Sequence, residues 1–257
     1  MRIPRIYQPM PLASGQTIKL DAQATVHLTK VLRLRVGDAL VLFNGEANDK
    51  GESGEFAARV NVVERRSVMI DVGEFVVRSL ESPLELVLLQ GISRGERMDF
   101  TVQKAVELGV SRIVPVLSER TVVNFKGDRQ EKRRTHWQGV VHSACEQCGR
   151  NRVPTVEAVK SFAVAVAEMA ERDTLKLVLH HRAETNFATL AAPQGTVSLL
   201  IGPEGGFSVQ EIATAEAAGF VPWRLGSRVL RTETAALAAI SVLQWQWGDF
   251  SAGMKNK

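Results

Sequence analysis

The stretch LIGPEGGFSVQEI, residues 200–212, packs three glycines, a proline and a glutamate into its first half. The apolar run just before the glycines, residues 196–202, is typical of a strand that is buried on both faces of a sheet. Ser208 and Glu211 have the S-x-x-E spacing of a helix capping box, and Gly219 is placed to end the helix that follows. The sequence therefore predicts a strand, a glycine loop and a capped helix, with the loop at the strand end where open α/β sheets bind ligands.

The spacing of the glycines restricts which ligand this loop could bind. A phosphate-binding loop of the P-loop type needs a lysine after its last glycine, and none follows Gly206. The dinucleotide pattern G-x-G-x-x-G is also absent, and the carboxylate of Glu204 would repel a phosphate beside it. The sequence favours a neutral or cationic ligand lying against main chain, while a tight turn without a ligand stays an alternative.

A second segment, WRLGSRVLRTETAALAAISVLQ at residues 223–244, has a similar organisation. A strand-like segment is predicted to end at residues 225–226, and a loop with two arginines follows. Thr232 or Thr234 is then expected to cap an alanine-rich helix. An ordinary amphipathic helix would explain the alanines, but not the R-x-x-R-T-E-T cluster in front of them.

The secondary structure predicted for residues 1–72 differs from that predicted for the rest of the chain. Residues 1–72 predict mostly β-structure, with strands at 38–44, 55–64 and 67–73 and a short helix and turn at 27–38, which suggests a small barrel. Residues 74–83 are predicted to be a linker. Strands and helices then alternate, which predicts an α/β domain with a parallel sheet; the strands are expected at 85–92, 112–118, 176–181 and 196–202, and the helices at 97–109, 129–147 and 161–171.

Composition is that of an ordinary globular protein, with 45% hydrophobic and 23% charged residues among 257. No apolar run approaches the roughly 18–20 residues of a membrane span, and the N-terminus lacks the apolar core of a signal peptide, so we expect a cytoplasmic protein. The net charge is +4, and basic residues cluster at 1–36 and 126–136. Such clusters suit phosphate contacts, although a solvated helix face explains the second cluster equally well.

The cysteines form one C-x-x-C, Cys145 and Cys148. His136 and His142 lie nearby, so a zinc site is one interpretation. The segment has a helical pattern, however, and residues three apart on one helix are neighbours in any case. We expect no metal here, and none at the adjacent pair His180 and His181.

The chain resembles a known family. GPEGGF at residues 202–207, together with LGSRVLRTETA at 225–235, resembles the signature of the SPOUT methyltransferases. The match to the bacterial 16S ribosomal RNA uracil-N3 methyltransferases, the RsmE family, covers nearly the whole chain; the segments similar to that family, in order, are MRIPRIY, HLTKVLRLRVGD, QKAVELGV, SERT and ACEQCGRNRVP. The two cysteines are not part of the family pattern.

The resemblance implies a fold and an activity. It implies a PUA-like RNA-binding β-barrel over residues 1–73 and a SPOUT α/β domain with a trefoil knot over residues 74–250, an exception to the rule against knots. It also implies a homodimer that binds S-adenosylmethionine and methylates N3 of one uridine, uridine 1498, in 16S rRNA of the 30S subunit.

The resemblance also implies site residues. Arg231 is expected to stabilise the uracil oxygens, and Glu233 is a candidate base, although an acid that complements the helix dipole explains Glu233 equally well. The expected cofactor contacts are Leu179, His180, Gly202, Glu204, Gly205, Leu225, Gly226, Val229, Leu230 and Thr234. The expected RNA contacts are Arg5, His27, Arg33, Arg35, Lys104, Arg120, Gln147 and Arg150.

Two other functions stay open at this point. A non-catalytic RNA-binding protein could use the same barrel, and failure to bind S-adenosylmethionine would favour it. A SPOUT methyltransferase could also act on another RNA, such as transfer RNA, and activity on small RNAs alone would favour that.

Overall fold

A computed structural model describes residues 3–122, 127–172, 174–185, 187 and 190–251. Its described residues cluster into two compact units. The N-terminal unit lies within Met1–Glu81 and His142–Val153, and the C-terminal unit within Ser82–Val141 and Pro154–Lys257. The predicted domain boundary between residues 73 and 74 stays a prediction, and residues 142–153 join the N-terminal unit, which no sequence pattern indicated.

In its described part the N-terminal unit contains a five-stranded sheet with the order β1-β3-β4-β5-β2. The strands β1 and β3 are parallel, and the other neighbours are antiparallel. The elements are β1 Arg5–Tyr7, β2 Thr17–Lys19, α1 Ala22–Val26, a π-helical turn His27–Val31, β3 Ala39–Phe43, β4 Gly54–Glu64 and β5 Ser67–Val77. The predicted strands are confirmed, whereas closure of the sheet into a barrel stays a prediction.

Alternating burial in β4 explains why this sheet forms, because every second side chain from Phe56 to Val60 enters one core with Leu40 and Ile70. Two sequence predictions differ from the structure here. The helix begins at Ala22 rather than at residue 27, since the Asp21 carboxylate accepts the N–H of Ala24 and so caps it earlier.

The second difference is the start of the predicted linker at residues 74–83, because residues 74–77 belong to β5. β5 runs on to Val77 because its last residues stay paired with the beginning of β4, Val77 opposite Gly54.

Among described residues the C-terminal unit has one parallel sheet, with the strand order β12-β10-β11-β6-β7-β8 and β9 also paired with β7. This confirms the predicted parallel sheet. The strands are β6 Leu86–Gly91, β7 Arg112–Leu117, β8 Thr155–Val156, β9 Lys160–Ser161, β10 Leu175–Leu179, β11 Val197–Ile201 and β12 Val221–Trp223. The helices are α2 Glu96–Glu107, α3 Asp128–Cys148 (whose last turns belong to the N-terminal unit), α4 Phe162–Ala170, α5 Val209–Ala217 and α6 Thr232–Trp247.

Burial and local signals account for most of these elements. All five side chains of β11 are buried between its parallel neighbours β10 and β6, as the apolar run predicted. The capping box is confirmed, since the Ser208 hydroxyl accepts the N–H of Glu211 and the Glu211 carboxylate accepts the N–H of Ser208. Gly109 and Gly219 follow the ends of α2 and α5 with positive φ, which glycine adopts without strain.

Two predictions near the C-terminus are wrong. The strand expected to end at residues 225–226 ends at Trp223, because its partner β10 ends opposite it at Leu179. Neither Thr232 nor Thr234 caps α6; Arg231 occupies the N-cap position without a side-chain bond. The trefoil knot stays a prediction. No helix within the described ranges is long and apolar enough to cross a membrane.

Candidate active site

A cavity of about 450 Å³ lies in the C-terminal unit, at the carboxyl ends of the parallel strands. Leu179 and Ile201, the last residues of β10 and β11, line it, together with the glycine loop and the loop after β12. The strand order places β12, β10 and β11 side by side, so their ends meet at one edge of the sheet. This is the edge at which open α/β sheets bind ligands, as the sequence predicted for the glycine loop.

The glycine loop is tightly packed against itself and its neighbours. A Cβ on Gly202 would lie 3.1 Å from the Cα of Gly206, and one on Gly205 would lie 3.0 Å from the Cβ of Arg120. A Cβ on Gly91, at the end of β6, would lie only 2.4 Å from the backbone nitrogen of Pro203. The glycines are thus needed for the loop's own packing, in addition to any ligand that the loop binds.

The Glu204 side chain anchors the outer part of the loop. Its carboxylate accepts the N–H of Arg94 at 3.0 Å and pairs with the Arg97 guanidinium at 3.1 Å. Partial burial alone would raise the pKa of Glu204, but these hydrogen bonds and the Arg97 charge outweigh it and lower the pKa. The carboxylate therefore stays ionised beside the cavity, and its charge is offset by Arg97.

Thr232, the first residue of α6, connects three elements. Its buried hydroxyl donates to the carbonyl oxygen of Gly202 at 2.6 Å and accepts the Nε2–H of Gln90 at 2.9 Å. Gln90 is fully buried in β6, and its Nε2 also donates to the carbonyl oxygen of Gly91. The start of α6 is thereby fixed to the ends of β6 and β11. Sequence reasoning missed this role, although a glutamine that ends an apolar strand run is a usable signal.

Arg231 and Glu233 flank Thr232 and both line the cavity. Arg231 is exposed, whereas the Oε2 atom of Glu233 is buried and has no hydrogen-bond partner in the described part of the chain. A buried carboxylate oxygen without a donor is costly, so a ligand that supplies a donor or a positive charge here would be stabilised. His180 lies on the same wall, and burial, followed by the charges of His181 and Arg182, lowers its pKa.

The structure brings together most of the expected cofactor contacts. The cavity is lined by Leu179, His180, Gly202, Glu204, Gly205, Leu225, Val229 and Leu230. Gly226 and Thr234 do not line it. Arg97, Phe207 and Arg228 also line it, although the sequence analysis did not include them.

The expected RNA contacts fall into different environments. Arg33, Arg35 and Gln147 are exposed, and His27 is half-buried. In the C-terminal unit, Lys104 pairs with Glu107 at 2.8 Å, and Arg120 donates to the carbonyl oxygen of Gly205 at 3.2 Å beside the cavity. Lys126, from the basic cluster 126–136, lies outside the described residues.

Arg5 and Arg150 require a correction. Both side chains are buried in the N-terminal unit, where Arg5 pairs with Glu55 and Arg150 pairs with Glu81. Arg5 also donates to the side chain of Asn151. A guanidinium held this way cannot reach an RNA phosphate without breaking a buried ion pair, so the proposed RNA contacts leave out both residues.

The cysteines lie on α3 as predicted, with Cys145 buried. Burial raises the pKa of the Cys145 thiol to about 12, which makes it unreactive at neutral pH. No group of three or more His, Cys, Asp or Glu side chains suited to a metal ion occurs among the residues that the structure describes.

Comparison with known proteins identifies the family. An RNA methyltransferase domain model matches residues 80–244, and an RNA methyltransferase PUA domain model matches residues 20–72. The chain is 38% identical over 250 residues to the ribosomal RNA small subunit methyltransferase E of Buchnera aphidicola subsp. Schizaphis graminum, covering 97% of this chain and 99% of that protein. The chain belongs to the ribosomal RNA small subunit methyltransferase E family.

Other members of the methyltransferase E family agree with this assignment. The protein of this family from Mycobacterium tuberculosis is 33% identical, over 93% of this chain and 91% of that protein. The crystal structure of the Neisseria gonorrhoeae methyltransferase E, bound to S-adenosyl methionine, is 40% identical, with a TM-score of 0.88 and coverage of 97% of this chain and 100% of that one. The chain is accordingly an RNA methyltransferase with a PUA-like N-terminal domain.

Proposed function

We propose that this enzyme transfers a methyl group from S-adenosylmethionine to N3 of one uridine in 16S rRNA of the 30S subunit. By family resemblance the target is uridine 1498. The observation that carries the proposal is the cavity beside the glycine loop, in a chain 40% identical to a small-subunit methyltransferase bound to S-adenosyl methionine. By the same resemblance we infer a knotted, dimeric, cytoplasmic enzyme.

The cavity fits the methyl donor. Its volume of about 450 Å³ is within the range of about 300–1,000 Å³ that small-ligand sites have. Strand ends and the glycine loop offer main-chain donors and acceptors for a flat base, and the Oε2 atom of Glu233, which has no partner among the described residues, suits a cation or hydrogen-bond donor. The proposed cofactor contacts are Leu179, His180, Gly202, Glu204, Gly205, Leu225, Val229 and Leu230, which line the cavity, and Gly226 and Thr234, which lie next to lining residues in the sequence.

When bound, S-adenosylmethionine supplies a methyl group made electrophilic by its sulfonium. N3 of uracil carries a proton between two carbonyls, so negative charge spreads over both oxygens as that proton leaves. Arg231 is exposed at the rim and can donate to these oxygens, which stabilises the charge. Glu233, on the same wall, can accept the proton.

The RNA must present an accessible base. N3 lies on the Watson–Crick edge, so the target uridine has to be unpaired or flipped out of a helix. Phosphate contacts would hold the surrounding RNA in place. The proposed contacts are His27, Arg33, Arg35, Lys104, Arg120 and Gln147.

The deciding experiment incubates the purified enzyme with S-adenosylmethionine and 30S subunits that lack the modification, followed by mass spectrometry of the nucleosides. We expect N3-methyluridine at a single site in 16S rRNA. The control reaction without S-adenosylmethionine should give none. If cofactor binds but no methylated nucleoside forms, another RNA is the substrate; absence of cofactor binding would favour a non-catalytic RNA-binding protein.

A further inference from the structure

A second cavity, of about 560 Å³, lies wholly within the N-terminal unit. Three separate segments form its walls: the chain around β1, the helix α1 with its π-helical turn, and the last turns of α3. Neither the methyl transfer nor the cofactor contacts account for it.

One wall of this cavity is aromatic. The rings of Tyr7 and His142 stack with centroids 4.0 Å apart, and both line the cavity. Tyr7 also packs against Phe43 at 5.7 Å, which fixes its ring. Burial lowers the pKa of His142, so its ring is uncharged at neutral pH. A rigid, uncharged aromatic surface of this kind favours stacking of a flat base.

A carboxylate forms the polar part of the cavity. Oε1 of Glu146 accepts the backbone N–H of Tyr7 at 2.9 Å, which orients the group. Its Oε2 accepts no hydrogen bond from the described residues. Asp21, the other acid in the wall, is already occupied, because its two oxygens accept from Ala24 and Gln8. Glu146 is therefore the acceptor available to a ligand.

Exposed apolar side chains line part of the cavity, and exposed cations follow them closely in the sequence. Val26 and Val31 line it and are 49% and 65% exposed, so they offer apolar surface to a ligand. Lys30, Arg33 and Arg35 are exposed on the same segment of the chain. Cations for phosphate, apolar and aromatic surface for a ring, and an acceptor for a base edge are the features by which proteins bind unpaired bases of RNA.

We propose that this cavity binds one unpaired guanine base of the RNA substrate, with the base edge donating to Glu146 and the ring against the wall formed by Tyr7 and His142. Guanine presents two adjacent donors, N1–H and the N2 amine, which match a carboxylate; one would donate to Oε2 of Glu146 and the other to the second lone pair of Oε1, whose first accepts the Tyr7 N–H. Uracil instead flanks its single donor with two carbonyl oxygens that a carboxylate repels, and adenine and cytosine each offer one amine beside an acceptor nitrogen. The inference rests on the proposed action on RNA.

The test compares fluorescein-labelled RNA pentamers, UUGUU, UUAUU and UUIUU, by anisotropy with the full-length protein. Inosine keeps N1–H but lacks the N2 amine. We expect UUGUU to bind about tenfold more tightly than UUAUU, with UUIUU between them, because a good bidentate contact to a base is worth about that discrimination. Guanosine monophosphate should displace the pentamer more effectively than adenosine monophosphate does.

The variant Glu146→Gln tests whether Glu146 makes the contact with the guanine edge. The amide keeps an acceptor for the N–H of Tyr7 but replaces the second oxygen with a donor, so the preference for guanine should disappear. Glu64→Gln, an exposed residue at the end of β4, is the matched control and should leave the preference unchanged. Equal binding of the three pentamers by the wild-type protein, no binding of any, or a preference that survives Glu146→Gln would each overturn the proposal.

Methylation of 30S subunits by the same preparation is measured in parallel. A guanine preference without methylation would refute the proposed reaction and keep the guanine site. Methylation without a preference for guanine would support the proposed reaction and refute the guanine site.

Discussion

Replacing Thr232 with valine tests whether one hydroxyl holds the site together. Valine has nearly the same shape, so the change removes the hydroxyl and little else. It deprives the Gly202 carbonyl of a donor at 2.6 Å and leaves the Gln90 Nε2 with only the Gly91 carbonyl as acceptor. Because these groups are buried, leaving them unpaired costs about 1–3 kcal/mol of the free energy of unfolding. For a chain of this size that is a fall of about 2–6 °C in the melting temperature.

The functional effect should exceed what a general loss of stability explains. Thr232 lies between Arg231 and Glu233, so freeing the start of α6 from the glycine loop moves both cavity walls. We expect weaker S-adenosylmethionine binding by isothermal titration calorimetry at 20 °C, where the variant stays folded, and a larger fall in turnover, because catalytic geometry is more sensitive than binding.

Two further variants control this experiment. Thr232→Ser keeps the hydroxyl and should restore most of the cofactor affinity. Thr214→Val removes an exposed hydroxyl that bonds only to the Gln210 carbonyl of its own helix, and should change neither property. A Thr232→Val protein with wild-type melting temperature and cofactor affinity would refute the role assigned to this network.

Three other predictions follow from the same structure. Arg231→Ala should lower turnover about 100- to 1,000-fold while changing cofactor affinity far less, measured by single-turnover methylation and calorimetry; unchanged turnover would remove Arg231 from the mechanism. Arg33→Gln should weaken RNA binding and reduce the slope of log K against log salt by about 0.7–0.9, whereas Arg66→Gln, on the turn between β4 and β5, should leave the slope unchanged; an unaltered slope for both would exclude a phosphate contact at Arg33. Gly91→Ala should cost about 1–3 kcal/mol in chemical denaturation, since its Cβ would lie 2.4 Å from a backbone nitrogen of the glycine loop. Gly139→Ala, in open space on α3, should instead gain up to about 1 kcal/mol, and equal effects of the two changes would contradict this account of the loop.

Local physical chemistry explains what could be predicted from the sequence. The buried strand before the glycine loop, the Ser208–Glu211 capping box and the glycines that end α2 and α5 depend on neighbours within a few residues. Periodic hydrophobicity gave the alternation of strands and helices, and with it the parallel sheet. Because the two loop motifs are also specific to a family, the expected cavity residues could be named before their positions were known.

Long-range contacts decided the rest. Thr232 is a residue type that often caps helices. Its hydroxyl instead forms hydrogen bonds with Gly202 and Gln90, which are distant in sequence. Arg5 and Arg150 carry the charge expected of RNA contacts, yet each forms an ion pair with an acid that is distant in the sequence.

The order of the strands also belongs to the tertiary structure. Residues near 179, 201 and 225 share one cavity only because β10, β11 and β12 lie side by side in the order β12-β10-β11. Sequence spacing fixes which side chains are available and what their local backbone prefers. Which of them meet depends on strand pairing and packing over more than a hundred residues, and these are set by the total burial of apolar surface and satisfaction of buried polar groups, not by any local pattern.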